Sequence, residues 1–248
     1  MSEPWTVERR DREQPDPGRP DRGPLDRQEL AALVARDIPH GAYVNLGIGL
    51  PTTAASFLDP DGGVVLHTEN GMLGMGPEAH GDDVDPDLIN AGKIPVTELP
   101  GAAYFHHADS FAMMRGGHLD VCILGAFQVA ANGDLANWHT GAPDAIPAVG
   151  GAMDLATGAK SVYVMMELFS RDGSPKLVPA CTYPLTGRAC VSRVYTRHAV
   201  FHIDPAGVRL AATFGIGRDE LAGRLDVPLL TEGGPDAVNQ PRDGGHRA

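Results

Sequence analysis

The sequence predicts an α/β fold: an open, mostly parallel sheet flanked by helices, with an antiparallel addition towards the C-terminus. Three observations carry the prediction. Short, nearly unbroken apolar runs recur at 42–46, 64–66, 119–124 and 161–166, as in strands buried on both faces. Helical patterns separate several of them, which is the alternation of βαβ units. The last third changes character: 191–195, 199–203 and 208–211 read as short strands joined by turns such as Asp204-Pro205-Ala206-Gly207, a pattern of antiparallel neighbours.

Taken in order, residues 1–24 hold five prolines and eleven charged side chains. Such a segment buries too little apolar surface to offset ordering, and a disordered arm is expected. Asp26, with Glu29 three residues on, is a capping signature ahead of Leu30, Leu33, Val34 and Ile38, giving a helix that ends at His40-Gly41. A strand at 42–46 follows. The turn Gly47-Ile48-Gly49-Leu50-Pro51-Thr52 then opens a second helix through Phe57. The next strand runs into Glu69, followed by Asn70 and glycines at 71, 74 and 76, so Glu69 is expected at a strand exit on a tight, glycine-rich turn. An open α/β sheet presents its chemistry there.

Residues 78–87 read as a polar loop, 94–99 as a strand, 108–115 as a helix and 119–124 as a strand. Gly150-Gly151 precedes a short helical run, 161–166 is a buried strand, and a last helix spans 219–225. Residues 232–248 look like a second disordered segment, so the folded unit is expected over 25–230, with tails at 1–24 and 231–248. No internal repeat is visible.

Bulk composition narrows the function. Twenty Lys and Arg against 32 Asp and Glu give a formal charge of −12, which argues against nucleic acid or an anionic membrane as partner. No apolar run approaches the length of a membrane span. Cys122, Cys181 and Cys190 are too few and too irregular for a disulfide framework or zinc site, and read as reduced thiols of a cytoplasmic protein. The turn at Gly47 falls short of the dinucleotide GxGxxG pattern, and neither a Walker loop nor a GxSxG elbow is present. Asp83-Val84-Asp85-Pro86-Asp87 imitates the start of a calcium loop, but Leu88 stands where the glycine must turn and Ile94 where the bidentate Glu must sit. His106, His107 and His118 have no HExxH spacing. Adjacent histidines on a strand point to opposite faces, so only one of the pair could join a given site, and no metal is expected.

Glu69 alone could be a solvated turn acid. What raises it is convergence with Asn70, with Lys93 in Asn90-Ala91-Gly92-Lys93, and with the glycine pair of Val149-Gly150-Gly151. All are polar or backbone-donating groups at element junctions, a set suited to an oxyanion with an anionic ligand nearby.

Four stretches together resemble the B (beta) subunits of the 3-oxoacid CoA-transferases, a likeness covering about residues 25–230. They are His67-Thr68-Glu69-Asn70-Gly71-Met72-Leu73-Gly74-Met75-Gly76-Pro77, Asp87-Leu88-Ile89-Asn90-Ala91-Gly92-Lys93, the run from Ala108-Asp109-Ser110 to Gly116-Gly117-His118, and Gly150-Gly151-Ala152-Met153-Asp154-Leu155. Thr68 departs from the family's usual serine but keeps the hydroxyl. The resemblance implies a CoA-transferase fold of the NagB/RpiA-like type, Glu69 as nucleophile, and Lys93 and Gly150 lining the thioester site. It further implies coenzyme A as a substrate with no resident cofactor, and an A (alpha) subunit as partner in a heterotetramer. Tyr104-Phe105-His106-His107-Ala108-Asp109 and the run Asn137-Trp138-His139 onward look more like the 3-oxoadipate branch than the acetoacetate branch. A dicarboxylate would give His106, His107 and His139 something to bind. A competing expectation is a non-catalytic or sugar-phosphate-binding domain on the related open-sheet fold.

Overall fold

Asp26 opens the first helix as its spacing from Glu29 predicts. In the computed structural model, the Asp26 carboxylate accepts from the Gln28 and Glu29 N–H groups, both at 2.8 Å, and Glu29 reaches back to the Asp26 N–H. Helix α1 (Arg27–Arg36) ends at Asp37, short of the expected His40-Gly41. The structure describes residues 23–142, 144, 146–147 and 150–230. The expected disordered tails lie outside these, apart from residues 23 and 24.

Strand β1 (Tyr43–Leu46) leads through Gly47 and Gly49 into a helix that is 3₁₀ rather than α, Leu50–Phe57. Its Thr52 and Thr53 hydroxyls donate to the carbonyls three residues back, Gly49 at 2.7 Å and Leu50 at 2.6 Å, which favours the tighter winding. β2 (Val65–Thr68) then pairs parallel to β1. The glycine-rich stretch after Glu69 is not all turn: it forms β3 (Met72–Glu78), antiparallel to β2. The strand expected at 94–99 is β4 (Val96–Tyr104), antiparallel to β3.

Helix α2 (His107–Arg115), β5 (Val121–Leu124), helix α3 (Ala152–Gly158), β8 (Ser161–Met165) and β10 (Val191–Tyr195) continue the alternation. Between them lie the short strands β6 (Gln128–Ala130), β7 (Leu135–Ala136) and β9 (Leu177–Val178), a separate three-stranded sheet that the apolar pattern of the sequence does not resolve. β11 (Ala199–Asp204) and β12 (Gly207–Thr213) are the expected antiparallel addition, followed by helix α4 (Arg218–Arg224) and β13 (Leu229–Leu230).

The ten strands run in the order β13-β12-β11-β10-β8-β5-β1-β2-β3-β4. The central five, β2-β1-β5-β8-β10, are parallel. Antiparallel pairs flank them on both sides, one side more than expected. Alternate residues of the central strands supply two cores. Val121, Ile123, Tyr163 and Met165 pack with α1 on one face; Cys122, Leu124, Val162 and Val164 pack with Met114 of α2, Leu155 of α3 and Leu221 of α4 on the other. Two-sided burial explains why these strands read as continuous apolar runs. Among the described residues, no helix is long and apolar enough to cross a membrane.

The position of β1 matters for function. The chain passes from β1 to β2 on one side and later sets β5 on the other, so the winding reverses at β1. Gly47, just past its end, donates its N–H to the Ile123 carbonyl at 2.8 Å. Ligands of open α/β sheets bind at such reversals, beyond the carboxyl ends of the strands. The carboxyl end of β2, next door, delivers Glu69.

Candidate active site

Thr68 of β2 pairs with Met72 of β3, so Glu69, Asn70 and Gly71 form a three-residue hairpin loop. The Gly71 N–H closes the turn on the Thr68 carbonyl at 3.1 Å, and Gly71 adopts φ +116°, a left-handed region that a side chain would resist. The Phe105 N–H donates to the Gly71 carbonyl at 3.0 Å. A Cβ at Gly71 would collide with the Phe105 carbonyl. The loop is thus held between its own turn and the segment leading into α2.

At its tip Glu69 is half-buried. A buried glycine closes over it: a Cβ built on Gly151 would lie 2.6 Å from Glu69 Oε2 and 2.8 Å from Cδ. Burial raises the Glu69 carboxyl above its ordinary value; the Gly151 backbone N–H and the nearby His107 pull it back, while Asp154 adds to the rise. The result is a half-buried carboxylate with the Gly151 backbone beside it, less solvated and so a more reactive oxygen nucleophile than a fully exposed one.

The neighbouring loop arrives through Asn70, whose side-chain Nδ2 donates to the Ile89 carbonyl at 2.7 Å. Asn90 shapes that loop from within, its Oδ1 accepting from the Gly92 N–H at 2.8 Å and the Ile94 N–H at 3.1 Å. Lys93 stands at the corner with φ +63° and an exposed side chain. Asn70 therefore ties the loop that carries Lys93 to the Glu69 turn.

The two glycines of the pair differ in their surroundings. Gly150 is exposed with nothing within 4 Å of a Cβ built on it, whereas Gly151 faces Glu69 and caps α3. The histidines separate in the same way. His106 and His107 lie at the start of a helix, not on a strand. His106 is the N-cap of α2, its Nδ1 accepting from the Ala108 N–H at 3.1 Å. His107, next to it, is the one electrostatically coupled to Glu69. His139 lies in the loop after β7, its Nδ1 accepting from the Gly141 N–H and its ring tilted against Trp138. Among the described residues, no group of three or more His, Cys, Asp or Glu is gathered for a metal.

A cavity of about 530 Å³ opens on the β4 edge, but it is lined by Asp83, Asp85, Asp87 and Glu98 with Tyr104, and Glu69 is not among its walls. Its charge disfavours any anionic ligand.

Comparison with known proteins identifies the family. The family model described as coenzyme A transferase matches residues 27–214. The B subunit of 3-oxoadipate CoA-transferase from Pseudomonas putida is 60% identical over 207 residues, covering 83% of this chain and 97% of that protein. The B subunit of the succinyl-CoA:3-ketoacid coenzyme A transferase from Helicobacter pylori is 46% identical over 184 residues, covering 74% and 88%. Among solved structures, an acyl-CoA transferase apoenzyme from Escherichia coli O157:H7 superposes with a TM-score of 0.66 at 19% identity, over 84% of this chain and 42% of that one, a likeness of fold. By matched length and identity, the chain belongs to the coenzyme A transferase family.

Proposed function

We propose that this chain is the beta subunit of a transferase that moves CoA from succinyl-CoA to 3-oxoadipate through a glutamyl-CoA thioester on Glu69. The observation that carries the reading is Glu69 itself: a half-buried carboxylate on a hairpin tip at the carboxyl end of a central parallel strand, closed over by Gly151. The choice of acyl groups rests on the similarity to the Pseudomonas and Helicobacter relatives.

The exchange runs in two halves. A Glu69 oxygen attacks the thioester carbonyl of succinyl-CoA; the C–S bond breaks, releasing CoA thiolate and leaving a succinyl–glutamyl anhydride. The thiolate then attacks the Glu69 carbonyl carbon, expelling succinate and forming the enzyme thioester. A carboxylate of 3-oxoadipate attacks that thioester, and the freed thiolate takes the 3-oxoadipyl group from the new anhydride, regenerating the Glu69 carboxylate. Each intermediate is an acyl derivative of similar energy to the end states, so no outside energy source is needed. When the thiolate attacks the Glu69 carbonyl, the oxyanion forms on the oxygen that the Gly151 N–H already faces, and one such donor lowers the barrier by about 3 kcal/mol.

Gly150 adds a second N–H where incoming acyl groups have room. Lys93 and Asn70 draw and hold the anionic groups beside the turn. Of His106, His107 and His139, His107 is the one whose charge acts on Glu69, and it is the candidate to meet a carboxylate of the acyl group. Coenzyme A enters as substrate, the alpha subunit completes its site, and the assembly is a cytoplasmic heterotetramer.

Mass spectrometry tests the reading directly. With its alpha partner and succinyl-CoA, the peptide containing Glu69 should gain the mass of CoA less water, and 3-oxoadipate should discharge it. An unlabelled Glu69 peptide during turnover rules the mechanism out, and ligand binding with neither label nor turnover favours a non-catalytic ligand-binding domain. Discharge faster by acetoacetate than by 3-oxoadipate would favour the 3-ketoacid reading that the Helicobacter relative supports.

A pH dependence follows from the same carboxyl. Only the ionised form attacks, and burial raises its value. The acid limb of kcat/KM should therefore fall at higher pH than an ordinary glutamate would place it, because kcat/KM reports the free enzyme. The stability sign is opposite. A group that binds its proton more tightly when folded favours the fold at low pH, and that contribution is lost as pH rises past the ordinary glutamate value and through the raised one.

A further inference from the structure

Three polar side chains lie in the core directly behind Glu69, and the reaction itself uses none of them. Asn45 and His67 are each 2% exposed and Ser110 is fully buried. They stand on three elements, β1, β2 and α2, yet touch in sequence. Asn45 Nδ2 lies 3.1 Å from His67 Nδ1 and 3.2 Å from the His67 carbonyl oxygen. Ser110 Oγ lies 2.9 Å from His67 Nε2 and 3.2 Å from the Thr68 carbonyl oxygen.

The donors and acceptors allow one arrangement. The His67 carbonyl can only accept, so the Asn45 atom facing it is the amide nitrogen, and that nitrogen can only donate. His67 Nδ1 must then accept, which puts the ring proton on Nε2. Nε2–H donates to Ser110 Oγ, and the single hydroxyl proton of Ser110 goes to the Thr68 carbonyl. A charged imidazolium would turn an N–H toward the Asn45 amide, and burial already lowers the His67 pKa to about 4. The chain of bonds runs one way, from Asn45 through His67 and Ser110 to the peptide that precedes Glu69.

The Thr68 carbonyl oxygen of that peptide takes a second bond, from the Gly71 N–H at 3.1 Å. Helix α2 serves both partners of the site. Through Ser110 it holds the Glu69 turn, and through the Arg115–Asp154 ion pair at 2.6 Å it holds α3, whose cap is Gly151. We propose that Asn45, His67 and Ser110 are positioning residues, a directional hydrogen-bond relay that fixes the Thr68–Glu69 peptide so that the Glu69 carboxylate is aimed at the thioester and kept on Gly151. The inference rests on the glutamyl-CoA reading above and adds to it the residues that aim the nucleophile. A misplacement on the order of 1 Å is enough to slow such a step about a hundredfold.

The test uses the complex of this chain with its alpha partner and single-turnover labelling of Glu69 by succinyl-CoA. Ser110→Ala should slow thioester formation by roughly 10- to 100-fold with KM for succinyl-CoA within about threefold, since it disturbs aim and not binding. It should also move the acid limb of kcat/KM to higher pH, as Glu69 drifts from the Gly151 N–H that lowers its pKa. His67→Gln, which keeps a donor toward Ser110, should recover most of the rate that His67→Leu loses. Should Ser110→Ala not fold, Ser110→Cys, a weak donor of nearly the same shape, should show the same shifts in smaller degree. Wild-type labelling rates with an unmoved acid limb in the serine variants overturn the relay while leaving the glutamyl-CoA reading intact. Absence of label in the wild-type complex overturns both.

Discussion

Glu69→Gln should lower turnover by at least about 10⁴-fold, a barrier increase of roughly 5.5 kcal/mol, while the protein still assembles and binds succinyl-CoA. The amide has the same shape and can still face the Gly151 N–H through its oxygen. It lacks the negative oxygen that opens the first thioester, so neither the anhydride nor the enzyme thioester forms. A group that helped only by binding would raise KM and leave kcat; loss of a covalent nucleophile removes kcat. The substitution should leave the melting temperature at neutral pH equal or slightly higher, because it replaces a half-buried charge whose pKa is raised mainly by burial with a neutral group. Steady-state rates, isothermal binding and thermal melting on the complex check the three parts. Turnover within tenfold of wild type would remove Glu69 from the chemistry.

The junction that carries Glu69 is legible in the sequence because the apolar run of β2 stops at a carboxylate, and a strand exit is a local event. The stretch beyond it is not, since Gly71, Gly74 and Gly76 read as turn residues. In the structure Gly74 and Gly76 sit in β3 where the register with β4 slips between Leu73 and Met75 and again between Met75 and Glu78. There the missing side chains admit Ala102 and Thr97. Glycine within a strand marks a bulge or a close backbone approach, and whether it marks a turn instead depends on a partner strand some 25 residues away. The three-stranded sheet of β6, β7 and β9 is invisible to pattern because strands of two or three residues carry no periodicity. In the site itself, spacing locates the Gly150-Gly151 pair but not which member faces the carboxylate, because that depends on where α3 begins. Asn45, His67 and Ser110 give one faint signal, polar residues within or beside apolar runs, with partners 22 and 43 residues apart in the chain.

Gly151→Ala isolates the role of that glycine, since its φ of −69° and ψ of 0° are open to any residue. The substitution strains nothing in the backbone, and fewer conformers of the unfolded chain should leave the melting temperature unchanged or slightly raised. The new methyl, however, would stand 2.6 Å from Glu69 Oε2, well inside van der Waals contact, so the carboxylate must retreat. It then leaves the N–H that steadied it and departs from its line of attack. The enzyme-thioester step should slow by roughly 10²-fold. The acid limb of kcat/KM should rise further, because the hydrogen bond that lowered the Glu69 pKa is the one lost. Gly150→Ala is the matched comparison: its methyl enters the open space assigned above to incoming acyl groups and leaves the Glu69–Gly151 contact in place, so the labelling rate of Glu69 at saturating succinyl-CoA should stay within about threefold of wild type while KM rises. A loss confined to position 151 assigns the working donor to the glycine that faces the carboxylate. Equal losses at both positions would mean that the thioester itself occupies the space beside Gly150 and that steric access, not the single N–H, governs the step.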